Sequence, residues 1–156
     1  MTLARTALCL VAAAALLGAC SKPGGNPNGP DVVITQAELP KMKPGLWTTT
    51  VSENGQAATT SQHCETGEQV GMADVSKECS KFVFKRTALG AIVIDAQCAS
   101  DGSSSTMHMT VSGDYDAHVT GDAQVTMKLP GNPPLVVATH AESTYVGPCP
   151  AGNAAG

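Results

Sequence analysis

Apolar and polar residues alternate one for one along much of the chain. In residues 105–129, Met107, Met109 and Val111 alternate with Thr106, His108, Thr110 and Ser112. Further on, Val119, Gly121, Ala123, Val125, Met127 and Leu129 alternate with Thr120, Asp122, Gln124, Thr126 and Lys128. Successive side chains of a strand point to opposite faces, so a period of two describes two strands, each with one face for a core and one for water. Gly113, Asp114, Tyr115, Asp116 and Ala117, between the two runs, have the composition of a turn. A three-residue loop, Asp114 to Asp116, pairs Val111 with Val119 and Met109 with Gly121, and sets His108 opposite Asp122.

The same logic locates the other strands. Asn54-Gly55 is a strong hairpin cue, and a two-residue turn there pairs Val51 with Ala58, Thr49 with Thr60 and Trp47 with Gln62. A third hairpin turns at Leu89-Gly90 and joins Phe82 and Phe84 to Ile92, Ile94 and Ala96. Past the breaker Pro130-Gly131-Asn132-Pro133-Pro134, a last strand falls within residues 135–146. Between Cys64 and Cys79 lies the one helix candidate. Thr66 and Gln69 have capping-box spacing, with Val70, Met72 and Ala73 as an apolar side, and Gly67 and Gly71 keep it short. The predicted class is mainly β, an antiparallel meander of about seven strands. A sheet with one apolar face has to cover that face, and one short helix is too small to do so. The expectation is therefore a curled or partly closed, barrel-like sheet, with a two-sheet sandwich as the alternative.

The first residues follow a different pattern. Arg5 precedes an almost wholly apolar run over residues 6–17, which is too short to span a bilayer and reads as the core of a signal peptide. The run ends in Leu17-Gly18-Ala19-Cys20, which resembles the bacterial lipobox. That resemblance implies cleavage before Cys20, acylation of Cys20 and a membrane partner reached through the lipid. Ser21, where an Asp would favour retention in the inner membrane, points to the outer membrane. Residues 21–30, SKPGGNPNGP, offer nothing to bury and read as a spacer. The predicted organisation is a signal peptide over residues 1–19, a lipidated cysteine and tether over 20–40, one β-rich domain over 41–149 and a tail over 150–156.

Composition narrows the function classes. The 156-residue chain carries a formal charge of −4, and an acidic protein cannot bind nucleic acid by releasing counterions from phosphates. Its five aromatics, Trp47, Phe82, Phe84, Tyr115 and Tyr145, are too few for a base-stacking platform. Cys9 leaves with the signal and Cys20 takes the lipid, so Cys64, Cys79, Cys98 and Cys149 remain. An even number in an exported chain favours two disulfides. No C-x-x-C pair is present, and His63 directly adjoins Cys64, so zinc spacing is missing. Three connectivities are open. Cys64–Cys79 with Cys98–Cys149 is the working choice, because the first closes a short loop, although a simple meander puts Cys149 at the opposite rim from the other three.

Lys43-Pro44-Gly45-Leu46-Trp47, a Thr-rich hairpin ending in Gln62-His63-Cys64, and the late Gly147-Pro148-Cys149 resemble an exported proteobacterial family known as domain of unknown function 3617. The resemblance runs from about residue 41 to 149 and implies the compartment and the domain extent. It brings no assigned activity. In physical terms, Pro44 fixes an extended start, Gly45 permits a close approach and Trp47 anchors the first strand in the core.

Candidate chemistry is sparse. No nucleophile elbow, phosphate loop or paired catalytic carboxylates stand out, and Asp114 and Asp116 belong to a turn. No cofactor and no catalytic residue are predicted. Met107-His108-Met109 is a soft-ligand triplet suited to Cu(I). In a strand, however, His108 faces away from both methionines, and Met127 shares the methionine face, which favours core filling. The expectation is a periplasmic lipoprotein without enzymatic activity, a binding or structural module for an unidentified small molecule or envelope protein. Copper handling is the alternative.

Overall fold

The computed structural model describes residues 29–70, 79–100 and 102–151. Eight strands form one antiparallel sheet: β1 (Val32–Ile34), β2 (Gly45–Glu53), β3 (Thr59–Glu65), β4 (Cys79–Arg86), β5 (Ile92–Ser100), β6 (Ser103–Gly113), β7 (His118–Lys128) and β8 (Leu135–Gly147). Their order across the sheet is β1-β4-β5-β6-β7-β8-β2-β3. Strands β4 to β8 are a meander, and the β2–β3 hairpin joins it by pairing β2 with β8. The mainly β, antiparallel class is as expected. The sheet is open, with β1 and β3 at its two edges.

An open sheet leaves its apolar face to be covered by something other than itself. Here the segment before β2 does so. Ile34 and Leu39 pack on Phe84, Ile92 and Ile94, with Phe82, Met107 and Met109 against them. Met42 and Val70 pack with Trp47, Val111 and Val119, and Met109 touches both clusters. This corrects the tether drawn to residue 40. Within it, β1 pairs with β4, a 3-10 turn spans Gln36–Glu38, and Leu39 is only 4% exposed. A three-residue strand and a single turn are too short to show any periodicity. The helix candidate is also corrected where it can be seen. Thr66 is irregular, Gly67 takes φ +86°, and Gln69 makes an isolated bridge to Lys41. Its remainder, with Met72 and Ala73, lies outside the described residues, as do the signal peptide, Cys20 and most of the spacer.

Two registers differ from expectation. In β6–β7, Val111 faces Gly121, Met109 faces Ala123 and His108 faces Gln124. The loop is longer because the Asp114 carboxylate accepts backbone N–H groups of Asp116, Ala117 and His118 at 3.1, 2.7 and 2.9 Å. A shift of two leaves every side chain on its expected face and changes only its partner. In β2–β3, Val51 faces Thr59 and Trp47 faces His63, a shift of one. The Asn54-Gly55 turn is present, with φ +49° and +72°, but it is tied to β8. Asn54 donates its N–H to Ala138 O (2.7 Å) and accepts the Ala138 N–H on Oδ1 (2.9 Å). A slip of one exchanges the faces of β3, which is tolerable because residues 59–63 are exposed on both.

The topology also settles the disulfides as Cys64–Cys149 and Cys79–Cys98, not the pairing anticipated above. Leu46 on β2 faces Cys64 on one side and Gly147 on the other, so the ends of β3 and β8 meet. Cys79 and Cys98 face each other across β4–β5. Gly45, at φ +143°, permits this close start of β2, since a Cβ there would lie 2.6 Å from both Gly147 O and the Tyr145 ring.

Candidate functional site

The face of β5–β8 turned away from the core is polar, and the registers arrange it in rows. One row crosses the sheet as Asp95, His108, Gln124 and Ala138. The next runs Thr110, Asp122, His140 and, on β2, Ser52. Each row holds a histidine–carboxylate pair. His108 Nδ1 lies 2.7 Å from Asp95 Oδ1, and Lys85 Nζ adds a 3.3 Å contact to Asp95 Oδ2. His140 Nδ1 lies 2.7 Å from Asp122 Oδ1, with Glu142 Oε1 3.5 Å from Nε2. The sequence suggested His108 with Asp122. The β6–β7 loop displaces that pairing, and each histidine finds its carboxylate on a neighbouring strand.

Both pairs are solvated, with side-chain exposures from 37% to 68%. Exposed ion pairs contribute little to stability. Each sets an imidazole nitrogen 2.7 Å from a carboxylate oxygen. An open groove of about 350 Å³ lies between the rows, lined among others by His108, Asp122, Gln124, Ala138 and His140. Ala138, with only a methyl group, lies in the lining beside Gln124 of the same row. The turn at Gly55, pinned through Asn54 to Ala138, lines it from β2–β3.

Hydrogen bonds set the electrostatics of this face and its surroundings. The hydrogen bond from His108, followed by that from Lys85, holds the Asp95 carboxyl below its ordinary value. Backbone N–H groups do the same for Asp114, and the Thr35 backbone and hydroxyl for Glu38. Hydrogen bonds to Asp122 and then Glu142 raise His140 above its ordinary value. The one phenol pushed up by burial, Tyr115, points its hydroxyl at Val111 O (3.3 Å) beside the core.

The other residues singled out from sequence fall as follows. Met107 and Met109 pack on the core side, while His108 stands on the opposite face against Asp95. Among the described residues no three His, Cys, Asp or Glu side chains gather as a metal site. Trp47 is fully buried, donates its indole N–H to Lys43 O at 2.8 Å and meets Tyr145 edge to face. Lys43 Nζ in turn sits 4.1 Å over the Tyr145 ring, so the K-P-G-x-W run closes on β8. The His140–Asp122 pair and the role of Ala138 were missed, because both depend on the β7–β8 register, which no single run reveals.

These features define a disulfide-stapled, single-sheet β protein with an open groove on the face turned away from the core. The chain belongs to the family described as "Protein of unknown function (DUF3617)", whose model matches residues 42–149. No curated protein and no solved structure matches it.

Proposed function

We propose that this protein is a periplasmic lipoprotein, held at the membrane by an acylated Cys20, whose sheet binds a small polar molecule in the groove between the two histidine–carboxylate rows. The observation that carries the binding role is the groove itself. His108 and the His140–Asp122 pair line it together with Thr110, Gln124 and Ala138. Asp122, Thr110 and Gln124 supply acceptor oxygens in its lining, so the ligand is one that brings donors, such as an amine or a polyol. The anchoring rests on Leu17-Gly18-Ala19-Cys20 after an apolar run. Outer-membrane residence is favoured by Ser21. Copper handling gains no support from Met107 and Met109, which face the core.

Two measurements test this reading. Metabolic labelling with a clickable fatty acid should tag the protein, and Cys20→Ala should abolish the tag; labelling that survives the substitution rules out the anchor. Native mass spectrometry of protein drawn from its own envelope should show a retained small molecule that is lost in Asp122→Asn. A retained species indifferent to Asp122 and His108 would remove the groove from the account.

A further inference from the structure

Edge strands present unpaired backbone N–H and C=O groups, and proteins ordinarily guard them with proline, lysine, a bulge or brevity. The two edges of this sheet differ in that respect. The β1 edge is three residues long and runs straight into the 3-10 turn. The β3 edge is seven residues, Thr-Thr-Ser-Gln-His-Cys-Glu, with no proline, no lysine and no register shift against β2. Among the described residues β3 pairs with β2 alone. It is also held in shape beforehand. Cys64 ties one end to β8, Thr50 and Thr60 share a 2.9 Å hydroxyl contact, and Gln62 donates to Thr48 Oγ1 at 3.1 Å. Preorganisation lowers the entropic cost of adding a partner strand.

We propose that β3 is a homotypic docking edge, which pairs antiparallel with β3 of a second copy and continues the sheet across a two-fold axis at Gln62. Edge amides unpaired among the described residues take an extended backbone as their occupant, and three observations favour a second copy. First, a two-fold axis at Gln62 pairs all seven residues with themselves, Ser61 opposite His63 and Thr59 opposite Glu65. Second, that register keeps the charges compatible. The single acidic residue of the strand faces a threonine, and the Glu65 carboxylate is already hydrogen-bonded to His63 at 2.9 Å. Third, residues 59–63 are exposed on both faces, so the partner strand must itself be polar on both faces, as β3 is.

The test is a photo-activated crosslinking amino acid placed at Ser61 of the full chain in its own membranes, with the same probe at exposed Val33 on the β1 edge as control. The Ser61 probe should give an adduct of twice the chain mass and the Val33 probe should not. Gln62→Lys sets two ammonium groups face to face and should reduce that adduct at least tenfold, with an unchanged circular dichroism spectrum as the folding check. Co-expressing the Gln62→Lys copy with a Gln62→Glu copy should restore it. Equal adducts from both edges, adducts only with another protein, no adduct, or a yield indifferent to Gln62→Lys would each overturn the proposal. None of these outcomes depends on the groove.

Discussion

Replacing Trp47 by alanine should be the most damaging single change on the core face of β2. The indole is fully buried between Val70, Val111 and Val119. Removing such a ring costs about 3–5 kcal/mol from lost transfer and the cavity left behind. Two specific contacts place it at the upper end of that range. The N–H bond to Lys43 O, at 2.8 Å, contributes about 1 kcal/mol, and the edge-to-face contact with Tyr145, at 5.6 Å between centroids and 72°, about the same. The expected loss is about 4–5 kcal/mol, a large share of the roughly 5–15 kcal/mol typical of a domain. Urea unfolding of the oxidised protein, followed by far-ultraviolet circular dichroism, reads it directly. With a slope of about 1.5 kcal/mol per molar, the midpoint should fall by about 3 M. Trp47→Phe keeps most of the buried ring and loses the N–H donor, so it should fall by only about 1 M. The wild-type indole should emit in the blue and resist quenching. A midpoint shift under about 0.5 M for Trp47→Ala at an unchanged slope, or a red and readily quenched emission, would refute the placement of Trp47 as the anchor of the KPGLW run.

Leu39→Ala, in a segment whose sequence reads as linker, should cost about 2–4 kcal/mol because Leu39 seals the Ile92–Ile94 cluster; a change under 0.5 kcal/mol would return residues 31–40 to the tether. In the chain-entropy relation, breaking Cys64–Cys149 (separation 85) by paired serine substitution should destabilise by about 4–5 kcal/mol, against about 3 for Cys79–Cys98 (separation 19); non-reducing peptide mapping that recovers Cys64 linked to Cys79 would overturn the topology. His140 is held above its ordinary value of 6.5 by Asp122 and Glu142, so its pairing adds stability in full below that value and loses it as pH rises through the folded pKa. Melting temperature should therefore fall slightly from about pH 6 to 8, less so in His140→Gln, and a His140 ring proton titrating below 6.5 by NMR would contradict the pairing with Asp122.

The elements that sequence revealed are those with a repeat to count. The alternation over residues 105–129 marks β6 and β7 with the correct faces, and the Phe82/Phe84 and Ile92/Ile94 runs mark β4 and β5 as a hairpin. What stayed hidden is non-local or too short. Closure of β2 against β8 depends on the glycine at position 45 and on Asn54 bonding Ala138, and neither choice leaves a mark on periodicity. That one pairing determines the disulfide partners. The groove was hidden for a related reason. His108 and His140 are ordinary polar positions in their own strands, and only the registers of β5–β8 give them Asp95 and Asp122. A loop lengthened by the Asp114 carboxylate was enough to redirect His108 from one aspartate to another.

Amide chemical-shift mapping shows whether the groove beside His108, Asp122 and His140 binds a ligand. Titrating the folded, isotopically labelled chain with a panel of amines, amino acids and sugars should move the backbone signals of His108, Asp122, Gln124, Ala138 and His140 together for at least one class. Asp122→Asn should suppress that response. A panel that leaves those five signals still, or moves only residues of the core face such as Met107 and Val111, would contradict the account.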